Sequence, residues 1–197
     1  MVGGDLKIDN NCVHNPPKSL LKTGKKGLHV DQAISALQDS KRFRFTLVRD
    51  PIYRAASAFA DKVAKPERPK NLLMKYLNRP IDDQITFSQF LDIIAHDRGA
   101  LDLDRHWRPQ RKEISYDQIS FDYIGDVANI HDDLNFINNN IFDVPVPIQD
   151  TRKSFGHKSN STELVKAMNR VDLTNIETAF SMDFEMYEEV RKRFEKE

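Results

Sequence analysis

Two rhythms of apolar positions alternate along the chain. Val30, Ala33, Ile34 and Leu37 keep the three- and four-residue spacing of a helix, and Phe43, Phe45, Leu47 and Val48 then crowd into a short strand. Pro51 suits the first turn of a second helix, whose apolar face is Ile52, Ala55, Ala56, Phe59 and Val63. Residues 65–80 hold Pro66, Pro69 and Pro80 among Lys65, Arg68, Lys70 and Arg79, and read as a surface excursion. Thr86 caps a helix with Phe87, Phe90, Leu91 and Ile94 on one side. Further on, "FDYIGDVANIHDDLNFI" predicts a second short strand, a turn at Gly125 and a helix opened by Asn129, with Asp132 and Asp133 near its positive end. From Ser161 the pattern is helical again through Leu164, Ala167, Met168, Ile176, Phe180 and Phe184, ending in the charged "EEVRKRFEKE". Helices interleaved with few strands predict an α/β layered domain. Residues 1–28, rich in Gly, Asn, Pro and Lys, read as an irregular segment before a single domain over 29–197.

Composition narrows the chemistry. A chain of 197 residues buries a core large enough to do without disulfide or metal staples. Thirty basic side chains balance thirty acidic ones, which argues against a coat for nucleic acid or for an anionic membrane, so any anion site must be local. Cys12 is the only cysteine, so neither an intrachain disulfide nor a thiolate zinc cluster is possible. No secretory pattern opens the sequence and nowhere do eighteen apolar residues run together, so the expectation is a soluble chain without a membrane segment.

The stretch "FRFTLVRDPIYRAASAFADKV" places Arg49 and Asp50 where a strand ends and a helix begins. Ligands of open α/β sheets collect beyond the carboxyl ends of strands, and the free N–H groups of a helix starting there favour an anion. Arg49 would offer a planar fork of donors to phosphate oxygens, with the Ser57 hydroxyl two turns along. The corner reads equally as a cap and brace for the helix, and Arg54 reads as a solvated helix residue.

"LVRDPIYRAASAFADKV" closely resembles the 3′-phosphate-binding segment of carbohydrate sulfotransferases, the group that includes chondroitin, dermatan and HNK-1 sulfotransferases and their bacterial relatives. There a strand is followed by Arg-Asp/Glu-Pro, an Arg, and Ser-Ala-aromatic near an Asp/Asn-Lys pair. The matching positions here are Arg49, Asp50, Pro51, Arg54, Ser57, Ala58, Phe59, Asp61 and Lys62. "HWRPQ" at 106–110 and "FDYIGDVANIHDDLNFI" at 121–137 follow in the same order, and the resemblance thins beyond 137.

The resemblance implies a P-loop-NTPase-like sulfotransferase domain, with a short parallel sheet flanked by helices. It implies transfer of a sulfuryl group from 3′-phosphoadenosine 5′-phosphosulfate to a carbohydrate hydroxyl without a metal. Arg49 and Ser57 would hold the donor's 3′-phosphate. The group also carries an upstream strand and a Pro-Lys-x-x-x-Ser/Thr loop for the 5′-phosphosulfate. Here "HNPPKSLLKTGKKG" offers Pro17, Lys18 and Ser19, or Lys22, Thr23 and Gly24, without a preceding apolar strand, so the first strand and loop are expected to be missing.

For the base that removes the acceptor's proton, histidine suits best because it titrates near working pH. Among six histidines, His106 is the first choice. Trp107 beside it would give a flat stacking face, and Arg108 a group for sulfate or an acidic sugar. His106 reads equally as a loop histidine packed under Trp107, and Asp102 and Asp104 either orient it or are surface charges. His29 is the rival, because some related enzymes place a histidine upstream of the Arg-Asp-Pro strand. His14, His96 and His131 lack support, and His157 lies in a polar loop. Two other classes compete: a P-loop kinase or hydrolase, whose Gly-x-x-x-x-Gly-Lys-Ser/Thr is absent, and a truncated or non-catalytic sulfotransferase-like protein that binds nucleotide or glycan. The expected location is the cytoplasm for a bacterial protein and the Golgi lumen for a clipped eukaryotic domain.

Overall fold

The computed structural model describes residues 35, 37–143 and 160–194. The chain divides into two compact units, Met1–Phe43 with Gln149–His157, and Arg44–Ile148 with Lys158–Glu197. In the first, Ser35, Leu37 and Gln38 are helical, as their spacing predicts, and Asp39 turns the chain by accepting from the Lys41 N–H at 3.0 Å and pairing with Arg42 Nε at 3.2 Å. The rest of the helix predicted from Val30, and the irregular segment over 1–28, lie outside the described residues.

The second unit begins with β1 (Phe45–Val48), followed by α1 (Pro51–Ala58) and a π-helical turn (Phe59–Val63). Then come α2 (Arg68–Tyr76), α3 (Phe87–His96), α4 (Arg98–Asp102) and α5 (Gln110–Glu113). The chain returns through β2 (Tyr123–Asp126), a 3-10 turn (Val127–Asn129) and α6 (Ile130–Ile141). It closes with α7 (Ser161–Lys166) and α8 (Arg170–Phe194). β1 and β2 pair in parallel, Phe45 opposite Tyr123 and Val48 opposite Asp126, so both carboxyl ends open on the same side. The architecture is therefore mixed helix and parallel sheet, in keeping with the α/β expectation, with two strands among the described residues.

Side-chain chemistry explains where each element starts. Asp50 Oδ1 accepts from the N–H groups of Ile52 and Tyr53 at 2.8 and 3.1 Å, and Pro51 has no N–H to leave unpaired. Thr86 and Gln89 exchange hydrogen bonds in a capping box at the head of α3. α8 departs from helical geometry at Phe180 (φ −120°, ψ 25°), and along its length it serves two cores. The larger core gathers Ala55, Phe59, Leu73, Phe90, Trp107, Ile176 and Phe180, and the smaller sets Met186, Tyr187 and Val190 against Val48 and Ile124 of the sheet.

Three expectations change. The excursion at 65–80 contains α2, because Pro69 falls in its first turn, where a proline costs nothing, and Leu73 and Met74 bury themselves completely. Trp107 offers no stacking face: it is wholly buried, packs edge-on against Phe90 at 5.7 Å and donates from Nε1 to the Ala100 carbonyl at 2.9 Å. Gly125 is a strand residue and makes no turn. Its missing side chain leaves room for the buried Asp133 carboxylate, which accepts from the Asp126 N–H at 2.5 Å and the Tyr123 hydroxyl at 2.6 Å.

A Cβ on Gly125 would stand 2.6 Å from Asp133 Oδ2 and 2.7 Å from Leu47 Cδ2. Gly125→Ala is expected to lower stability by about 1–3 kcal/mol through overpacking, measured from the urea unfolding midpoint. An unchanged midpoint would show that Asp133 yields freely and does not brace β2.

Candidate functional site

Beyond the carboxyl ends of the two strands lies a cleft of about 280 Å³, bordered by Arg49 after β1 and Val127 after β2. Three residues singled out in the sequence, Arg49, Ser57 and His106, share its wall, joined by Arg54, Lys62 and Gln110. Arg54, Ser57 and Asp61 recur at helical spacing on one face of α1 and the turn that continues it. The π-turn, in which the Ala64 N–H reaches back to the Phe59 carbonyl at 2.9 Å, widens the helix where Asp61 and Lys62 meet the cleft.

Asp50 and Arg49 divide the corner between them. The carboxylate of Asp50 is taken up by the helix cap, and the half-buried Arg49 side chain is left to the cleft. Gln110 fixes the backbone at this point, its Oε1 accepting from the Arg49 N–H at 3.2 Å and its Nε2 donating to the Arg49 carbonyl at 3.5 Å. Burial lowers the pKa of the Arg49 guanidinium, and Asp61 and Asp50 work against that shift.

Arg54 departs from its expected place in solvent. Its side chain is only 14 % exposed, its Nη2 donates to the Arg105 carbonyl at 3.2 Å, and its Nη1 lies 3.9 Å from Asp183 Oδ2. Nη1 is buried without a hydrogen-bond partner. Burial lowers the Arg54 pKa and raises that of Asp183, so both charges carry a desolvation cost that their 3.9 Å contact only partly offsets. A signal is present in the sequence, since Arg54 stands three residues before Ser57 and so on the same helix face. Its partner Asp183, more than a hundred residues away, leaves no local trace.

Asp183 itself is 1 % exposed. Its Oδ2 accepts from the Gln110 N–H at 2.7 Å and its Oδ1 from the Arg111 N–H at 2.8 Å, so it holds the amino end of α5 as well as facing Arg54. At the end of β2, Asp126 plays a parallel part, accepting from the Ala128 N–H at 2.9 Å and from the Tyr187 hydroxyl at 2.6 Å. Burial and this hydrogen bond push the Tyr187 pKa well above its ordinary value.

His106 reaches the cleft from the loop that the buried Trp107 anchors. Its Nδ1 lies 2.5 Å from Asp104 Oδ1, which also accepts from the His106 N–H at 2.9 Å. A carboxylate only accepts, so Nδ1 carries a proton, and in the neutral imidazole the lone pair is then on Nε2. Asp104 therefore orients His106, whereas Asp102 pairs with Lys112 at 3.3 Å.

Arg108, expected at the acceptor, is not among the residues lining the cleft. Its guanidinium is engaged with the Asp102 carbonyl at 2.9 Å and Glu113 Oε2 at 3.3 Å, where it braces α4 against α5. His96 and His131 are exposed and away from the cleft, and His14, His29 and His157 lie outside the described residues. The Pro17–Ser19 and Lys22–Gly24 stretches, candidates for the 5′-phosphosulfate loop, lie outside them too. No cluster of potential metal ligands occurs among the described residues, and none of their helices is long and apolar enough to cross a membrane.

The Sulfotransferase family matches the chain over residues 5–188, a span that takes in the cleft and the "HNPPKSLLKTGKKG" stretch. The chain belongs to that family, in agreement with its motifs. No curated protein and no solved structure matches it. Membership defines a sulfotransferase domain, and with it a sulfate donor of the kind such enzymes use.

Both oxygens of Asp183 serve N–H donors, so an amide in its place would turn an NH₂ toward one of them. Asp183→Asn is expected to cost about 2–4 kcal/mol despite its equal size, measured by urea unfolding. A cost near zero would mean that the α5 amino end holds without the carboxylate.

Proposed function

We propose that this chain transfers a sulfuryl group from 3′-phosphoadenosine 5′-phosphosulfate to a hydroxyl of a carbohydrate, within a P-loop-NTPase-like domain. The observation that carries the reading is the gathering of Arg49, Ser57 and His106 in one cleft with Arg54 and Lys62. Three cationic side chains and a hydroxyl line it with the carboxylate of Asp61, and Asp183 stands behind Arg54 at 3.9 Å, so positive charge and donors remain in excess there, a set that suits a phosphate.

In this reading Arg49 and Ser57 hold the 3′-phosphate, and Arg54 adds positive potential from the floor of the cleft. The donor supplies an activated sulfuryl group whose departure leaves charge on a phosphate oxygen. His106 Nε2 takes the proton from the acceptor hydroxyl as its oxygen becomes the nucleophile. Asp104 keeps the lone pair of Nε2 outward and stabilises the imidazolium that forms. Lys62, on the cleft wall, offsets negative charge that builds during transfer.

Calorimetric titration with 3′-phosphoadenosine 5′-phosphate, beside adenosine 5′-monophosphate, tests the nucleotide half of the proposal. The bisphosphate is expected to bind more tightly, and Arg49→Ala to weaken it by about 10- to 100-fold, the worth of a charge-assisted contact. Equal binding of the two nucleotides, or an Arg49→Ala variant that binds like the parent, would sink the assignment.

His106→Ala tests the chemical half. It is expected to lower kcat by about 10²- to 10⁴-fold with bisphosphate binding unchanged. Bisphosphate binding with no transfer to any glycan would instead identify a binding protein built on the same scaffold.

A further inference from the structure

We propose that the groove along α2 is a second carbohydrate-binding surface, which holds an anionic stretch of the acceptor at a distance from its reacting hydroxyl. The inference rests on the reading that the acceptor is a carbohydrate, and it adds a charge requirement and a place. The groove measures about 430 Å³ and is lined by Arg68, Asn71, Leu72, Lys75, Asn78, Arg79 and Ile81. No carboxylate is among these residues.

Its chemistry is composite. Arg68, Leu72 and Lys75 stand four and three residues apart, and so share one face of α2, with the two cations about 10 Å apart along the helix axis. Neither Arg68 nor Lys75 has an ion pair or a side-chain hydrogen bond within the described residues, whereas Arg79 is held by Asp83 at 2.8 Å. Leu72 is 38 % and Ile81 59 % exposed, which is apolar surface left in water between charged groups. Asn78 takes a left-handed backbone (φ 53°), which folds the chain after α2 and brings Asn78, Arg79 and Ile81 to the end of the groove.

Each part answers to a feature of an acidic sugar chain. The aliphatic side chains suit the C–H face of a pyranose ring, and amides that both donate and accept suit hydroxyls. Unpaired cations suit a carboxylate or sulfate. Position supports the same occupant. Lys62 lines the catalytic cleft and Arg68 lines the groove, and the stretch of backbone from one to the other cannot span more than about 20 Å. A chain of several sugars is long enough to cover that separation.

The test is calorimetry on the full chain with a hexasaccharide of alternating uronic acid and N-acetylhexosamine, beside neutral N-acetylglucosamine hexamer and a hexaglutamate peptide. The acidic hexasaccharide is expected to bind best, and the Arg68→Ala/Lys75→Ala variant to weaken it about tenfold, as loss of two exposed charge-assisted contacts implies. Titration with 3′-phosphoadenosine 5′-phosphate should be the same for parent and variant, which shows that the variant is folded and its cleft intact. Unchanged hexasaccharide binding in the variant, or equal binding of the neutral hexamer, would overturn the proposal. A peptide that binds as tightly would overturn it in favour of an acidic protein partner. The two readings fail separately: loss of nucleotide binding in the parent removes the donor site and leaves an observed, charge-dependent groove standing, and the opposite pattern removes the groove alone.

Discussion

Just past the break in α8, the Asp183 carboxylate takes two N–H groups of α5 on separate oxygens and faces the Arg54 guanidinium at 3.9 Å. A desolvated charge pair of this kind adds little net stability compared with an apolar filling, so its main effect is on position. Asp183 sets the amino end of α5, which sets Gln110, and the Gln110 amide then clasps the backbone of Arg49. The two arginines of the cleft are thus held by one carboxylate, one directly and one through a single side chain. The cleft takes its form from a contact between the last helix and the middle of the chain.

That dependence explains how far the sequence can be read. The strand, the Asp50 cap and the Pro51 start are local events, governed by residues within three or four positions, and the spacing of "LVRDPIYRAASAFADKV" is enough to reveal them. Arg49 and Ser57 follow from the same stretch. Arg54 looks solvated because its partner is remote, and a single position on an amphipathic helix does not say which neighbour will cover it. Trp107 looks available because an aromatic beside histidine and arginine fits a stacking face, but a large side chain gains more by entering the core beside Phe90. Arg108 looks free for the same reason, and the carbonyl at the end of α4 claims it. At Gly125 the turn rule fails because the glycine answers to close approach by Asp133 and not to backbone handedness.

One helix, with a break at Phe180, acts on both sides. Before it, α8 packs Ile176 and Phe180 into the core beneath α1 and α3. After it, Met186, Tyr187 and Val190 cover the sheet. Asp183 lies between these two interfaces, at the level where β1 gives way to α1.

Electrostatics within the cleft follow a consistent plan. The whole chain has no net charge, so no overall charge draws an anion to it. The arginines that line the cleft nevertheless have carboxylates in attendance, Asp183 near Arg54 and Asp61 near Arg49, and Asp104 holds the Nδ1 side of His106. Each carboxylate makes the burial of its partner tolerable without saturating it. Arg54 keeps an unpartnered Nη1, Arg49 is bonded among the described residues only through its backbone, and His106 keeps Nε2. Partial neutralisation of this kind limits the desolvation cost of the two arginines and leaves donors of the cleft unsaturated, whereas full pairing would occupy those donors and unpaired burial would raise the cost.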